Sequence, residues 1–400
     1  MPTQTRDAAI VGIHEYPLRK VPELSALQIK AESAIRALED AGLTWKDVDA
    51  VYESGESGGV LSGIPSTPEY FGVQANVIDT TMTGGASFEF HAAHAKHAIA
   101  AGKAKVALLT YGSTTRRDGA ALGSAGTGLA RGPVHPVGNM EDLWGLTLVG
   151  DYAMVAHRHM HLYGTTSEQL AEISVATRHH ATRNPEAVQA MQDVGYRNTG
   201  EISVQDVVGS RVVADPLHML ECCMISDGGG AAVITSADVA RDCRQQPVWI
   251  LGSGEAVKFP ENGGDVTTSA AAQAGPLAFG EAGVKPDEID IAMLYDAFTI
   301  SVLVALEDLG FCKKGDGGSF VGDARLRFDS SLRPALNTDG GGLSSNHPGM
   351  RGLFLLIEAT RQLRGQSTSQ VEGARLAVAS GLGGRLGGRH SAGTVVLARD

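Results

Sequence analysis

The segment AGLTWKDVD, Ala41–Asp49, recurs in the second half of the chain as AGVKPDEID, Ala282–Asp290. Each copy places a glycine, Gly42 or Gly283, at the end of an apolar helical pattern, where a left-handed cap is favoured. An acidic residue, an aliphatic residue and an aspartate follow at the same distance in both copies. The identical spacing predicts that the chain contains two copies of one βαβ-rich α/β unit.

The sequence around the two copies alternates between short apolar runs and helical patterns. In the first half we predict strands Ala8–Ile13, Val48–Tyr52 and Val106–Tyr111, and helices Ser25–Ala41 and Gly85–Ala101. In the second half we predict strands Val248–Gly252, Ile289–Tyr295, Leu376–Ser380 and Thr394–Ala398, and helices Thr267–Ala282, one ending at Leu309, and Met350–Leu363. Because proline lacks the N–H that a helix needs, we expect Gly275-Pro276 to interrupt the helix at 267–282.

The repeat divides the chain into an N-terminal half, residues 1–242, and a C-terminal half, residues 243–400. Within the first half, a segment at about 114–210 is rich in Gly and Ala at first and then becomes helical. Thr165 and Glu168 have the spacing of a capping box, which predicts a helix running to about His180. We interpret this segment as an inserted loop domain that covers a site.

Composition limits the class of protein. The 400 residues carry a formal net charge of −12, with 43% hydrophobic and 20% charged residues, as is typical of a folded globular chain. An acidic chain lacks the basic stripe that nucleic-acid binding needs, and no apolar run reaches the ~18 residues of a membrane span. Four scattered cysteines and the lack of a signal-peptide pattern predict a cytoplasmic protein without a disulfide framework.

Three segments at predicted strand ends and helix starts carry residues suited to catalysis. They are Thr83–Ser87, Leu294–Phe298 and the glycine-rich Gly340–Gly349. Backbone N–H groups at a helix start stabilise oxyanions, and glycine lets a substrate oxygen approach them. His347 is a credible acid, base or carbonyl-polarising group. His347 and Tyr295 also have structural alternatives, as a turn-stabilising histidine and a core aromatic residue.

On these segments the chain resembles the thiolase superfamily over essentially its whole length. The resemblance includes the duplicated halves, the inserted loop domain and the ADPL…SDGGGAAVI stretch at residues 214–234. Within the superfamily the chain is most similar to the lipid-transfer-protein-type branch, which includes the steroid side-chain aldolases. The resemblance implies a duplicated thiolase-like fold with α/β/α/β/α layers and an inserted loop domain.

The motifs of this family differ from the chain at the decisive positions. Thiolases carry a nucleophilic cysteine where this chain has Gly85, and a second one in a C-x-G motif matched here by Ala379–Gly381 or its neighbours. Their N-E-x-F or H-D-x-F segment matches Tyr295–Phe298, and their G-H-P histidine matches His347. Thiolysis needs a thiolate to accept the acyl group, which glycine cannot do. The aldolase branch has Y-D-x-F, as here, and typically a second tyrosine where this chain has His347.

The resemblance therefore implies a carbon–carbon lyase that cleaves a bulky, steroid-like β-hydroxyacyl-CoA by a retro-aldol reaction, without an acyl-cysteine. Tyr295 is expected to take the proton of the β-hydroxyl group. His347 is expected to hydrogen-bond the thioester oxygen and to return a proton to the α-carbon. Backbone N–H groups near two glycines form the oxyanion site, and the expected substrate-binding residues are Gly85, Asp296, Ser344 and Gly381. No cofactor and no metal ion are expected besides the CoA thioester substrate.

Two alternatives stay open, an atypical thiolase-like acyltransferase that uses CoA directly and a non-catalytic acyl-CoA-binding subunit. A requirement for free CoA separates the acyltransferase from the lyase, and the retention of both Tyr295 and His347 speaks against a silent subunit. By resemblance we also expect a homodimer and a small zinc-ribbon/OB-fold partner protein that completes the acyl-CoA pocket. Any metal ion then belongs to that partner.

Overall fold

A computed structural model describes residues 6–54, 66–119, 147–259, 265–386 and 388–400. The strands are β1 Ala8–Glu15, β2 Ala50–Glu53, β3 Val77–Asp79, β4 Val106–Ser113, β5 Val212–Ala214, β6 Leu217–His218, β7 Gly228–Ser236, β8 Val248–Lys258, β9 Ile291–Leu294, β10 Ala335–Leu336, β11 Leu376–Gly384 and β12 His390–Ala398. The helices are α1 Ala26–Ala41, α2 Ser66–Phe71, α3 Ser87–Ala100, α4 Leu148–Tyr163, α5 Ser167–Ala181, α6 Pro185–Asp193, α7 Val204–Val208, α8 Ala237–Ala240, α9 Ala271–Ala282, α10 Thr299–Asp308, α11 Gly317–Phe320, α12 Gly341–Ser344 and α13 Gly352–Arg364.

The strands of the larger described sheet repeat one arrangement in the two halves. Their order is β10-β9-β11-β12-β8-β1-β7-β4-β2-β3. In the first half, β1 pairs antiparallel with β7 and β7 with β4, whereas β4, β2 and β3 pair in parallel. In the second half, β8 pairs antiparallel with β12 and β12 with β11, whereas β11, β9 and β10 pair in parallel. The halves join where β1 pairs with β8 through Ala9–Trp249 and Ile10–Val248. The duplication predicted from the repeated segment is confirmed, while the boundary at residues 242 and 243 stays a prediction.

The helices form three layers around the two halves of this sheet. Helix α1 covers β1, β4 and β7 on one outer face, and α9 covers β8 and β12 on the other. Helices α3 and α13 each contact strands of both halves, so they form the middle layer. The layers follow the α/β/α/β/α arrangement that the resemblance implies.

The predicted helices end within one residue of the observed C-terminal ends, whereas their predicted starts lie one to four residues too early. Gly42 and Gly283 end α1 and α9 in the left-handed conformation, with φ values of 78° and 66°. The capping box predicted at Thr165–Glu168 lies one residue too early, since Thr166 caps α5 and pairs with Gln169. The same two side-chain types are available at both registers, so spacing alone does not separate them.

The expected interruption at Gly275-Pro276 is wrong, because α9 runs from Ala271 through Pro276 to Ala282. The helix lies very close to β8 at this point, where a Cβ atom built on Gly254 would lie 2.0 Å from the Ala274 carbonyl oxygen. Packing against the sheet therefore outweighs the local cost of proline in the helix.

The described part of the predicted insertion consists of helices α4 to α7, and its residues 120–146 lie outside the described ranges. Helix α5 packs on α10 and α12 of the C-terminal half. The insertion therefore covers the segment that contains Ser344. Among the described helices, none is both long and apolar enough to cross a membrane.

Candidate active site

The turn that precedes α3 lies directly against the end of β11. A Cβ atom built on the first glycine of the turn Gly84–Ala86 would lie 3.1 Å from the Cα of Gly383. A Cβ atom built on Gly85 would lie 2.1 Å from Cε2 of Tyr295 and 2.4 Å from the carbonyl oxygen of Leu382. Since Cβ contacts below 3.0 Å are essentially never seen, no side chain at position 85 can coexist with Tyr295 in this position.

Tyr295 directly follows β9 and its side chain is buried. The backbone N–H of Arg351, just before α13 begins, lies near enough to the phenol of Tyr295 to affect its pKa. Burial raises the pKa of Tyr295 well above its ordinary value, and the ionisable groups of Cys223, Tyr111 and Tyr152 raise it further, while the Arg351 N–H opposes the rise. The phenol is therefore protonated at neutral pH and can donate a hydrogen bond to a bound molecule.

His347 packs against this phenol. The two rings meet edge to face, with centroids 5.5 Å apart and planes at 80°. The loop of His347 is held by its backbone N–H, which donates to Oγ of Ser226 at 3.1 Å. Burial, followed by the charge of Arg351, lowers the pKa of His347 to about 4. Among the described residues its Nε2 has no hydrogen-bond partner, so a neutral imidazole with a free nitrogen faces the site.

Arg351 and Asp296 form a buried support behind these two rings. Nε of Arg351 lies 3.2 Å from Oδ1 of Asp296, and the guanidinium also contacts Asp339 at 2.5 Å and the Asn346 carbonyl oxygen at 2.8 Å. Asp296 in turn accepts a hydrogen bond from the backbone N–H of Gly342 at 2.8 Å. Burial raises the pKa of Asp296 to about 6, although Arg351 opposes the rise. The Asp296 carboxyl group therefore orders the segment that carries His347.

The two remaining predicted site residues lie beside other groups. Oγ of Ser344 accepts a hydrogen bond from Nε of Arg178 at 2.9 Å, which links α12 to the inserted helices. A Cβ atom built on Gly381 would lie 2.0 Å from Oε2 of Glu89 and 2.9 Å from the Cα of Ala86, so this glycine packs against that carboxyl group and against the turn before α3. The structure thus brings together four of the six predicted residues around this turn and the phenol, namely Gly85, Gly381, Tyr295 and His347.

Comparison with known proteins agrees with this geometry. The acetyl-CoA acetyltransferase of Methanothermobacter thermautotrophicus is 31% identical over 389 residues, which cover 95% of this chain and 97% of that protein. The 17-hydroxy-3-oxo-4-pregnene-20-carboxyl-CoA lyase of Mycobacterium tuberculosis is 33% identical over 398 residues, covering 92% of this chain and 94% of the lyase. A family model described as "Thiolase C-terminal domain-like" matches residues 255–399. The chain belongs to the thiolase superfamily.

A solved structure of this superfamily, the "Ltp2-ChsH2(DUF35) aldolase", matches the chain with a TM-score of 0.86 at 28% identity, covering 99% of both chains. The resemblance to thiolases and to steroid aldolases that the motifs indicated is confirmed. The relatives named here are enzymes of two kinds, lyases and an acetyltransferase.

One thiol lies near the site of this thiolase-superfamily chain, although position 85 has none. Cys223 donates its backbone N–H to the Ala297 carbonyl oxygen at 2.9 Å and is near enough to Tyr295 to raise the pKa of that phenol. Burial raises the pKa of the Cys223 thiol itself, so the nucleophilic thiolate is disfavoured. No motif marks this residue, because pairings with residues far away in the chain, Cys222 with Phe298 and Ile225 with His347, bring the segment here.

Tyr111 is a second phenol that no sequence motif marks. The hydroxyl group of Tyr111 in β4 donates to the Pro348 carbonyl oxygen at 2.6 Å, and thus holds the residue that follows His347. Its position in a buried apolar strand indicates a core residue, and nothing in its neighbours points to the distant His347 segment. The thiolase-like site therefore contains a tyrosine from each half. Tyr111 binds the residue after His347, and Tyr295 packs against the His347 ring.

Proposed function

We propose that the chain is a carbon–carbon lyase that cleaves a bulky, steroid-like β-hydroxyacyl-CoA by a retro-aldol reaction, without an acyl-cysteine. The packing of Tyr295 against Gly85 carries this proposal, because a phenol ring lies against the position where thiolases carry their nucleophile. The raised pKa of Cys223 argues against a replacement thiolate. The similarity to the lyase of M. tuberculosis over nearly the whole chain supports the reaction and the steroid-like acyl group.

The protonation states favour a division of roles that is the reverse of the one expected from the sequence. His347 is neutral with a free ring nitrogen, so it takes the proton of the β-hydroxyl group as the carbon–carbon bond breaks. The electron pair of that bond passes to the α-carbon and forms the thioester enolate. Tyr295 is protonated, so it donates to the enolate and protonates the α-carbon. Proton return from the imidazolium to the phenolate then restores both groups.

The turn before α3 is the proposed site for the thioester oxygen. Helix α3 is 14 residues long, and N–H groups at a helix start carry partial positive charge and lack intrahelical acceptors. Gly85 and Gly383 let this turn pack directly against the Tyr295 ring and the end of β11, so that the donors lie beside the phenol. Gly381 is the expected C-terminal contributor, and a Cβ atom built on it would lie 2.9 Å from the Cα of Ala86 in this turn, so we keep this assignment. Asp296 and Ser344 act through the loops that they hold.

The chain is proposed to work as a homodimer with a small zinc-ribbon/OB-fold partner protein. The solved relative, the Ltp2-ChsH2(DUF35) aldolase, supports the partner. The described residues contain no group of three or more His, Cys, Asp or Glu side chains that could hold a metal ion. A reaction without a cofactor and a cytoplasmic location stay predictions.

An acyltransferase that uses CoA directly is the second candidate, and the similarity to the acetyltransferase of M. thermautotrophicus favours it. Such an enzyme needs free CoA as the acyl acceptor, whereas a lyase does not. A non-catalytic acyl-CoA-binding subunit is less well supported, because it has no use for an imidazole and a phenol held edge to face.

The deciding experiment incubates the chain, with and without its partner protein, with a steroid-like β-hydroxyacyl-CoA and identifies the products by mass. We expect a carbonyl product and a shortened acyl-CoA without added CoA. Tyr295→Phe and His347→Ala are each expected to lower kcat/KM by about 10²- to 10⁴-fold. Tyr70→Phe, at an exposed tyrosine of α2, is the control. An absolute need for free CoA, or a thioester trapped on Cys223 during turnover, contradicts the lyase.

A further inference from the structure

Glu89 lies on α3, one helical turn beyond Gly85, and its carboxyl group is buried. Neither the sequence motifs nor the proposed mechanism give it a role. Only 1% of the residue is exposed. Three glycines of the C-terminal half form a cradle around it. A Cβ atom would lie 2.0 Å from Oε2 if built on Gly381, 2.5 Å from the same oxygen if built on Gly352, and 2.7 Å from the Glu89 Cβ if built on Gly393.

Burial favours the protonated form of this carboxyl group. Among the described residues, no other residue donates a hydrogen bond to either of its oxygens. Burial raises the pKa of Glu89 well above its ordinary value, and no neighbouring cation opposes the rise. A protonated carboxyl group is a hydrogen-bond donor as well as an acceptor. Burying it without an acceptor is costly, and an apolar side chain of the same shape would cost less.

The carbonyl oxygen of Gly85 lies on the same side of the cradle as the Glu89 carboxyl group. A Cβ atom built on Gly352 would lie 2.3 Å from that oxygen and 2.5 Å from Oε2 of Glu89, so both oxygens converge on the first residue of α13. The backbone N–H of the preceding residue, Arg351, is near enough to the phenol of Tyr295 to lower its pKa. The carboxyl group therefore lies where the turn of the N-terminal half meets the start of α13, next to the phenol.

We propose that Glu89 is a positioning residue that donates a hydrogen bond to the Gly85 carbonyl oxygen and so fixes the Gly84–Ala86 turn against Tyr295 and α13. It touches no substrate. Its effect reaches the reaction through the turn, whose backbone donors and whose contact with the phenol ring define the site. This role rests on the proposed function, since it assumes that the turn and Tyr295 form the reacting centre.

The test compares Glu89→Leu, which puts an apolar side chain in place of the carboxyl group and removes the donor, with Glu89→Gln, which keeps the shape and a donor. Glu89→Leu is expected to lower kcat by about 10- to 100-fold with KM nearly unchanged, because a small misplacement of a preorganised site is costly. Its melting temperature is expected to stay the same or to rise. Glu89→Gln is expected to retain kcat within a few-fold. The control is Thr235→Val in β7, which also removes a buried, unpartnered polar group and is expected to leave kcat unchanged.

Hydrogen exchange gives a readout that does not depend on the reaction. The amides of residues 84–89 are expected to exchange at least tenfold faster in Glu89→Leu and at the wild-type rate in Glu89→Gln. A wild-type chain without lyase activity contradicts the proposed function, and exchange alone then decides on Glu89. Three results would each overturn the positioning role. They are wild-type kcat and exchange rates in Glu89→Leu, a parallel loss of stability and activity in both variants, and a Glu89→Gln variant that is as impaired as Glu89→Leu.

Discussion

At the scale of single residues, the absence of a side chain at position 85 determines whether the Tyr295 ring can lie in the site. We predict that Gly85→Ala lowers the free energy of unfolding by about 1–3 kcal/mol, because the added methyl group overlaps the Tyr295 ring and the Leu382 carbonyl oxygen. Urea denaturation measures the change. The double variant with Tyr295→Ala removes the overlap with the ring, so its loss is expected to be smaller than the sum of the two single losses. Additive losses would show that the two positions do not interact.

The protonation state of His347 leads to a prediction about pH. Its pKa is about 4 in the folded chain against an ordinary 6.5, so the folded state resists protonation and the unfolded state does not. The stability that depends on the neutral ring is present above pH 6.5 and is lost as the pH falls toward 4. Relative to His347→Gln, which does not titrate, the wild type is expected to lose about 2 kcal/mol between pH 7 and pH 5. Denaturation at both pH values measures this, and an unchanged difference would contradict a neutral buried ring.

Single residues also show where the sequence stops being informative. Tyr295 and His347 could be predicted because each stands in a short motif at a strand end or before a helix. Arg351, Cys223 and Glu89 could not, since each has ordinary neighbours and gains its significance from partners far away in the chain. A buried cation between Asp296 and Asp339 or a carboxyl group among glycines leaves no spacing pattern.

At the scale of elements, α9 offers a matched pair of glycines for testing helix capping. Gly283 ends the helix with φ at 66°, and Gly280 lies inside it, and no atom would contact a Cβ at either position. We predict that Gly283→Ala lowers the free energy of unfolding by about 1–2 kcal/mol through the left-handed backbone, whereas Gly280→Ala raises it by about 0.5–1 kcal/mol. Thermal or urea unfolding of the two variants checks the opposite signs, and equal effects would contradict the cap.

Strand lengths show why glycine-rich elements are hard to predict. The apolar run predicted Val248–Gly252, but β8 continues to Lys258, and β12 begins at His390 rather than at Thr394. The additional residues include Gly254 and Gly393, which read as strand breakers. In the folded chain each of these glycines admits a helix into close contact, Gly254 with α9 and Gly393 with α3. These glycines are needed for the packing of a helix on a strand, and local strand propensity does not describe such packing.

At the scale of the whole molecule, the repeat in the sequence was sufficient to predict two related halves but not their relative placement. The halves join through two residue pairs between β1 and β8, and α3 and α13 contact both. The contact of Gly85 with Tyr295 follows from that placement alone. The hydrophobic pattern of the sequence indicates which residues each half buries. The site, however, forms where residues of the two halves contact each other.

The free edge of β3 leads to a prediction about assembly. Among the described strands, β3 pairs only with β2, and nearby Ile78 and Met82 are exposed. Such an edge invites pairing with another strand, and we predict that a second copy of the chain occupies it. Ile78→Lys is expected to turn a dimer of about twice 41.7 kDa into a monomer in sedimentation, whereas Val212→Lys on the remote β5 is not. A monomeric wild type, or two variants that behave alike, would rule this interface out.

The overlap at position 85 restricts the order in which such a site can arise by mutation. From a precursor with cysteine there, the tyrosine at position 295 has no room until the cysteine is gone. Loss of the old nucleophile must come first, and the intermediate form then has neither sulfur nor phenol. Such an intermediate persists only while the fold is kept for some reason other than catalysis.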